Sequence, residues 1–308
     1  MVEIRRIGQT DLAALAPEVA RARAAGEFEA SSDPAGAYFL DSFLYTPSPA
    51  VLALGAGGAA LGFASPEFKI VVVRPDVRRQ GIGRALLAAC LDIERERGRP
   101  NVLMGTLPGD AFGEAFLRAG GFARHSTVSD MLLPAQVAAA APALPASITL
   151  RPFSRATDLR AWAELHNRAF ADHPTPMWMD LETLETAPAD PAVDELDTVL
   201  AVDAATGVIV GFCSTFPDRH DGRVGPEAEI WALGVEPAWQ GQGIGRLLLR
   251  WGIARLRGLG ATDVHLSVNT RNDGALGLYR REGFVPWRTR ERWSLAVPDG
   301  FAASPDVA

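Results

Sequence analysis

Hydrophobic and polar positions in the second half of the chain predict strands and helices in a defined order. A short strand at 148–153 precedes an amphipathic helix that begins near Thr157, where apolar residues recur at helical spacing and Thr157 or Asp158 is a candidate cap. The segments predicted after it are a short helix at 180–187, strands at 198–203, 207–216 and 227–236, a helix at 245–258, a strand at 263–269, a helix at 273–282 and two final strands. This order predicts an α/β fold with a mixed, mostly antiparallel sheet flanked by helices, not the repeated βαβ order of a dinucleotide-binding fold.

Two sequence segments repeat at a fixed distance along the chain. RRQGIGRALL at 78–87 matches QGQGIGRLLL at 240–249, and AFLRAGGF at 115–122 matches GLYRREGF at 277–284, each with an offset of 162 residues. Near the start of each copy, Asp11 and Asp158 differ by 147, so the second copy carries about 15 extra residues (162 − 147 = 15) before its glycine motif. The repeat indicates two homologous domains.

A run of alanine and proline, PAQVAAAAPALPAS at 134–147, carries no charge and has the composition of a linker. We therefore predict an N-terminal domain at 1–133, a linker at 134–147, a C-terminal domain at 148–298 and a tail at 299–308. The length of 308 residues fits two domains. We expect a monomer in which the two domains pack as a pseudo-dimer.

Composition narrows the class of partner. The formal charge of −7 provides no basic field for nucleic acid or an anionic membrane. Cys90 and Cys213 are too few for a disulfide framework or a zinc cluster, and we interpret them as buried, inert thiols. The N-terminal segment lacks the apolar core of a signal peptide, and no stretch reaches the roughly 20 apolar residues of a membrane span. We expect a cytoplasmic protein with no nucleic acid or membrane partner.

A glycine-rich turn at 240–245 lies between the strand that ends at Val235 and a helix. Its glycines leave backbone N–H groups uncovered at a helix N-terminus, an arrangement suited to a diphosphate. A tight connection without a ligand is the alternative for a lone motif. A P-loop is excluded because no lysine follows the glycines, and the antiparallel strands upstream argue against a dinucleotide-binding unit.

Both copies resemble GCN5-related N-acetyltransferase domains, whose signature is [QR]-x-x-G-x-[GA]. The signature reads Gln240-x-x-Gly243-x-Gly245 in the second copy and Arg78-x-x-Gly81-x-Gly83 in the first. NDGALGLYRREGF at 272–284 is similar to the family's second motif, with Asn272, Tyr279, Gly283 and Phe284 in the expected order. The tandem arrangement, with LHNRAFADHP at 165–174 and EIWALGVEP at 229–237, is most similar to the mycothiol synthase branch.

The resemblance implies acetyl-CoA as the co-substrate and no metal. It places the pyrophosphate on the 240–245 turn and the pantetheine arm along the strand ending at Val235, where a backbone N–H of Leu233 or Gly234 could hold the developing oxyanion. We read Gly234 as a bulge or a close backbone approach. The residues implied in cofactor binding are Leu233, Gly234, Val235, Gln240, Gly241, Gln242, Gly243, Ile244, Gly245, Arg246 and Asn272 in the second copy, and Val73, Arg78, Arg79, Gln80, Gly81, Ile82, Gly83 and Arg84 in the first.

Acyl transfer to an amine needs a base for the ammonium and an acid for the departing thiolate. The resemblance implies Tyr279 as the acid, and a helix tyrosine packed on the sheet is the alternative. It implies Glu229 as the base, directly or through water, and a solvated surface glutamate is the alternative. Strand alternation predicts that Glu227, Glu229 and Trp231 share one face if no bulge intervenes.

The first copy lacks the predicted acid. With the offset of 162, Glu229 corresponds to Glu67 and Asn272 to Asp110, but Tyr279 corresponds to Leu117, which cannot protonate a thiolate. We expect this copy to be catalytically weak or inactive. Whether it binds CoA or serves as a structural partner stays open.

The predicted function is acetyl transfer to the amine of a small molecule by direct attack in the C-terminal domain. The extra residues of the second copy lie where the family forms the acceptor site, and the candidate pocket residues are His173, Met177, Trp178, Asp180, Phe216 and Trp231. Aromatic residues that only close the core are the alternative. Two other functions stay open, a CoA-binding regulatory module without turnover and a protein or peptide N-acetyltransferase.

Overall fold

The computed structural model describes residues 2–8, 11–25, 50–66, 69–138, 145–171, 179, 181–186, 194–220 and 223–297. The chain divides into two compact units. Unit 1 comprises Met1–Thr127 and Arg290–Ala308, and unit 2 comprises Val128–Thr289. Among the described residues, no helix combines the length and the apolar character needed to cross a bilayer.

Unit 1 contains an antiparallel sheet and a separate pair of strands. Strands β1 (Glu3–Arg6), β2 (Val51–Leu54), β3 (Ala60–Ser65) and β4 (Ile70–Val73) pair in that order, and β5 (Asn101–Thr106) pairs antiparallel with the end of β12 (Val285–Ala296). The helices of this unit are α1 (Leu12–Ala24), α2 (Ile82–Glu96) and α3 (Ala111–Ala119). The first copy therefore has the predicted strand, turn and helix order around its glycine motif.

Unit 2 is built on one mixed sheet. Its strands follow the order β6 (Ala123–Leu133), β11 (Asp263–Asn269), β10 (Arg223–Val235), β9 (Ile209–His220), β8 (Thr198–Asp203) and β7 (Ile148–Pro152). Only β10 and β11 are parallel. Its helices are α4 (Arg155–Ala169), α5 (Leu181–Thr186), α6 (Ile244–Gly258) and α7 (Asp273–Arg281). This architecture confirms the predicted α/β class with a mostly antiparallel sheet.

Helices cover both faces of the unit 2 sheet because their apolar residues recur at helical spacing. On one face, α6 buries Leu248, Leu249 and Ile253 against the sheet. On the other face, Leu165 of α4 packs with Phe212 of β9. The strand that carries the candidate site, β10, therefore lies between two apolar layers.

The two compact units divide the chain within two long strands. Their division falls inside β6 and β12, because the end of β6 pairs with β11 in unit 2 and the end of β12 pairs with β5 in unit 1. Trp293 of β12 is fully buried in the core of unit 1, where its indole N–H donates to Thr106 Oγ1 at 2.9 Å. The linker at 134–147 thus joins two sequence copies that have exchanged their terminal strands, and the domain limits from sequence remain a prediction.

Two local predictions differ from the structure. Helix α4 begins at Arg155, two residues before the predicted start, because the Asp158 carboxylate reaches back to the Ser154 N–H at 2.9 Å and also pairs with Arg151. In the described part of the C-terminal region, the chain forms one long strand, β12, where two were predicted. Its length serves the exchange, since it runs from unit 2 into unit 1.

Candidate functional site

Strands β10 and β11 open into a wedge. They pair in parallel at Glu227–Glu229 with Asp263–His265, and the described residues that follow on β10 and β11 do not pair with each other. At the end of β10, the Glu236 N–H donates to Val210 O at 2.9 Å, toward β9. Because backbone groups alternate in direction along a strand, those of Leu233 and Val235 face the open side of the wedge, as the predicted cofactor strand requires.

A bulge in β10 changes two sequence expectations. The register with β9 shifts between Ile230 and Ala232, so Trp231 is the extra residue and the expected shared face of Glu227, Glu229 and Trp231 is not continuous. Gly234 is not the bulge. A Cβ at Gly234 would lie 2.5 Å from a ring carbon of Phe212, so its close neighbour is a core side chain.

The direction of β10 also separates the two candidate oxyanion donors. Gly234 pairs with Phe212 of β9, and its backbone groups alternate with those of Leu233. The N–H of Leu233 therefore points to the wedge and that of Gly234 points to β9. Of the two predicted donors, the strand direction favours Leu233.

The glycine turn presents an open N-terminus of α6. Gly243 is the N-cap residue with φ of 85°, Gly241 has φ of 76°, and no atom lies within 4 Å of where a Cβ would be at either position. The uncovered N–H groups at this helix end suit a diphosphate. Arg246 in the first turn lies 3.5 Å from Glu282, so its charge is shared with an acidic neighbour.

The first residue of the signature holds the turn to the strand. Gln240 Nε2 donates to Val235 O at 3.1 Å, and in unit 1 Arg78 Nε donates to Val73 O at 2.8 Å. These side chains, predicted to bind the cofactor, contact the chain itself. The same contact in both copies fixes the glycine turn at the mouth of the wedge.

The turn of unit 1 differs from that of unit 2 at its first two residues, Arg78 for Gln240 and Arg79 for Gly241. Gly81 is the N-cap residue with φ of 85°, and Arg79 adopts φ of 67° where the second copy has Gly241. Gly83 packs tightly, because a Cβ there would lie 3.2 Å from the Phe116 ring. The N-cap glycine of the turn thus has the same φ in both copies.

Tyr279, the candidate acid, lies on α7 in the buried cluster that also contains Val235 of β10. The side chain is 9% exposed, and burial, with a smaller effect of the nearby Cys213, raises the pKa of its phenol above the ordinary value. The phenol is therefore protonated at neutral pH. Asn272 Oδ1 accepts the Ala275 N–H at 3.0 Å and caps α7, which fixes the helix that carries the tyrosine.

Glu229, the candidate base, is half-buried at the point where the wedge begins. Its neighbours in sequence, Ala228 and Ile230, are buried in the core under α6, so its side chain lies on the opposite face of the sheet. It is directly opposite Phe216 of β9 and His265 of β11 in register. A predicted pocket residue, Phe216, thus lies beside the candidate base.

Asn269 is a site residue that the sequence patterns do not mark. It ends β11, is 1% exposed, and its Oδ1 accepts the Arg271 N–H at 2.9 Å. Within the described residues its amide Nδ2 is buried and has no hydrogen-bond partner. The sequence feature that could have indicated this residue is its place as a polar residue directly after the apolar Val268. A buried donor without a partner beside an open wedge fits a ligand carbonyl or phosphate oxygen.

Most of the predicted acceptor pocket lies outside the described residues, namely His173, Met177, Trp178 and Asp180. The adjoining Met179 is described, and both its backbone groups bond to Asn167 of α4, N–H to Oδ1 at 2.7 Å and O to Nδ2 at 2.9 Å. Trp231 is 48% exposed at the bulge. Asn167 therefore holds the backbone of Met179 next to α4.

Unit 1 has a cleft at the corresponding place. Gly105 N–H of β5 donates to Lys69 O at 2.7 Å, and the cleft next to this bond is lined by β4, β5, α3 and the end of β12. Leu117, which replaces the tyrosine, is among the lining residues, and Asp110 caps α3 as Asn272 caps α7. Glu67 lies outside the described residues.

No metal or thiol chemistry is evident in the part of the chain that the structure describes. It contains no group of three or more His, Cys, Asp or Glu side chains that could hold a metal ion. Both cysteines are free and buried, as expected. Burial raises the pKa of Cys90 to about 12 and that of Cys213 further, so both remain thiols.

Comparisons with known proteins agree with this geometry. The profile described as "Acetyltransferase (GNAT) family" matches residues 18–121 and 159–284. The chain is 37% identical to a protein named mycothiol acetyltransferase from Thermobispora bispora over 234 residues, 75% of this chain and 77% of the relative. It is 33% identical to one from Salinispora arenicola over 298 residues, 92% and 94% of the two chains.

A solved structure shows the same tandem fold. It is a tandem GNAT protein from the clavulanic acid biosynthesis pathway, with a TM-score of 0.69 at 19% identity, covering 98% of this chain and 100% of that one. The two profile matches each contain a glycine turn and the helix that follows it. The chain is therefore an N-acetyltransferase with two tandem copies of one fold, and it belongs to the acetyltransferase (GNAT) family.

Proposed function

We propose that the second copy transfers the acetyl group of acetyl-CoA to the amine of a small molecule by direct attack. The observation that carries this proposal is the wedge between β10 and β11, which has the glycine turn at its mouth, with Tyr279 in the same buried cluster as Val235 of β10. The first copy has the turn and a cleft but Leu117 in place of the tyrosine. The proposal therefore assigns turnover to one copy.

The residues present fit acetyl-CoA. Backbone N–H groups after Gly243 bind the diphosphate, and the backbone groups of Leu233 and Val235 bind the pantetheine amides as an added strand would. Asn269 Nδ2 offers a further buried donor. When bound, acetyl-CoA supplies the activated acetyl thioester, and the Leu233 N–H donates to its carbonyl oxygen.

Two side chains handle the protons. Glu229 takes a proton from the acceptor ammonium, directly or through water, so that the amine becomes a nucleophile. Tyr279 gives its proton to the departing sulfur, for which it must be protonated beforehand. Its raised pKa meets that requirement.

The relatives suggest which acceptor to test first. Two similar proteins are named mycothiol acetyltransferase. Amino-thiols of the mycothiol-precursor type are therefore the first acceptors to test, followed by amino acid derivatives and amine-containing antibiotics. A protein or peptide acceptor would instead require an open groove next to Met179.

A screen of these amines for CoA release tests the proposal. We expect at least one amine to give acceptor-dependent release in the wild-type protein. Tyr279→Phe should lower kcat by about 100-fold or more, the usual contribution of a general acid. Leu117→Tyr, which places a tyrosine at the equivalent position of the first copy, is the matched control and should not restore activity to Tyr279→Phe.

Three results would contradict the proposal. Full activity of Tyr279→Phe would remove the tyrosine from the mechanism. Acetyl-CoA binding without release in the presence of any amine would favour a regulatory module that binds CoA without turnover. Recovery of activity in the double variant would show that the first copy is competent once it has an acid.

A further inference from the structure

The last residue of β10 that pairs with β11 is the candidate base, and its partner is a histidine. Glu229 lies opposite His265 in parallel register, immediately before the strands separate. Partners in a parallel pair point to the same face of the sheet. Val264 and Leu266, which flank His265, are buried under α6, so both His265 and Glu229 lie on the face away from that helix.

The imidazole of His265 is held in place by an aromatic neighbour. The His265 and Trp287 ring centroids are 5.0 Å apart at 61°, an edge-to-face contact, and Trp287 is itself half-exposed. The Arg288 guanidinium stacks over the same indole at 4.2 Å and donates to the buried Asp130 carboxylate at 2.6 Å. The ring therefore packs against Trp287 of β12, on the same face of the sheet as Glu229.

Several charged groups face His265 from the elements packed around it. Glu229 is directly opposite on β10, and Asp263 lies two residues earlier on β11. On β6 the residue opposite His265 is Leu132, with Asp130 two residues away and paired with Arg288 of β12. Asp130 is already paired with Arg288. Glu229 is therefore the carboxylate directly opposite His265 in register that can pair with a charged imidazole.

We propose that His265 is a positioning residue that shares with Glu229 the proton removed from the acceptor amine. This rests on the proposed function. When the ammonium N–H bond breaks, its electron pair stays on nitrogen and the proton passes to the Glu229 carboxylate and on to the His265 imidazole, which releases it to solvent after turnover. A carboxylate with a reference pKa near 4.3 holds a proton weakly at neutral pH, whereas imidazole, near 6.5, matches the working range.

Nuclear magnetic resonance titration of the histidine ring signals tests the pair without using activity. The chain has five histidines, and the signal that disappears in His265→Gln identifies the ring. An ionised carboxylate beside an imidazole stabilises the cation, so we expect the His265 pKa to fall by about one unit or more in Glu229→Gln. An unchanged His265 titration in that variant would overturn the proposal.

A matched variant controls for general charge effects. Glu236→Gln removes a carboxylate from the end of β10, seven residues beyond Glu229 and about 20 Å along the strand, where Glu236 pairs with Arg168 at 3.0 Å. We expect the His265 titration to stay at its wild-type value there. An equal shift in both variants would show that net charge, not the pair, sets the titration.

The pH profile of kcat then separates a proton role from a structural one. In His265→Gln we expect the acidic limb to move to lower pH and the plateau to fall, while KM for acetyl-CoA stays within twofold. A uniform loss at all pH values would overturn the proposal. If Glu229→Gln keeps full activity while the titration shift is present, the pair stands and the proposed base fails, so the two failures are distinguishable.

Discussion

Replacing Gly243 by alanine should cost stability through backbone conformation alone. Its φ of 85° is in the left-handed region, and nothing lies within 4 Å of where the Cβ would be. The expected cost is therefore the left-handed penalty, about 1–2 kcal/mol. Gly245 is the control, since a Cβ there would make ordinary contacts at 3.7–4.0 Å and Gly245 lies inside α6. Gly245→Ala should stabilise by about 0.4–1 kcal/mol.

Thermal unfolding measures the change in stability, and calorimetric titration with acetyl-CoA measures the change in binding. For a unit of this size, 1 kcal/mol moves Tm by about 2–4 °C. We expect Tm to fall in Gly243→Ala and to rise slightly in Gly245→Ala. If alanine relaxes φ out of the left-handed region, a backbone N–H of the turn no longer faces the ligand; the loss of one charge-assisted hydrogen bond, about 1.5–3 kcal/mol, should then weaken acetyl-CoA binding about 10- to 100-fold in Gly243→Ala and not in Gly245→Ala. Equal losses in the two variants would refute the conformational explanation and, with it, the role of the turn as an anion site.

Two further predictions concern the support of the site and of the fold. Gly234→Ala should lower Tm, because its Cβ would lie 2.5 Å from the Phe212 ring and such overpacking costs about 1–3 kcal/mol; an unchanged Tm would contradict this. The hydrogen bond from Arg151 lowers the pKa of Asp158, so this carboxylate stabilises the fold above its unfolded pKa, near 3.9, and the stabilisation is lost as pH falls through the lower folded value. Urea unfolding of Asp158→Asn should show a loss of stability at pH 7 that disappears as the pH falls through the folded pKa of Asp158; a loss independent of pH would contradict this.

Local features of the site could be predicted from the sequence because they depend on nearby residues. Glycines at Gly241 and Gly243 predicted the turn, and both have positive φ. The repeat offset predicted that Leu117 is the residue equivalent to Tyr279, and the two residues lie on the corresponding helices α3 and α7. Turn chemistry and helix periodicity act over a few residues, which is why a pattern reveals them.

Features that depend on a partner strand could not be predicted. The bulge at Trp231 is set by the register between β9 and β10, and the strand sequence alone reads as simple alternation. The position of His265 at the start of the wedge is visible only in the structure, because the pairing of β11 with β10 ends directly after it. Gln240 matches the first position of the family signature, yet its side-chain amide donates to Val235 O. The signature shows that a residue type recurs at a position, but it does not show which atom that side chain contacts.

The exchange of terminal strands has a consequence for synthesis of the protein on the ribosome. β5 ends at Thr106, but the partner residues on β12 begin at Glu291, 185 positions later (291 − 106 = 185). At about 5–20 residues per second, the edge of β5 waits roughly 10–40 s for its partner. A gene split in the alanine and proline run would leave the N-terminal product without Trp293 and with an unprotected apolar edge. Each half of the gene therefore encodes a nascent chain that depends on the other to avoid aggregation.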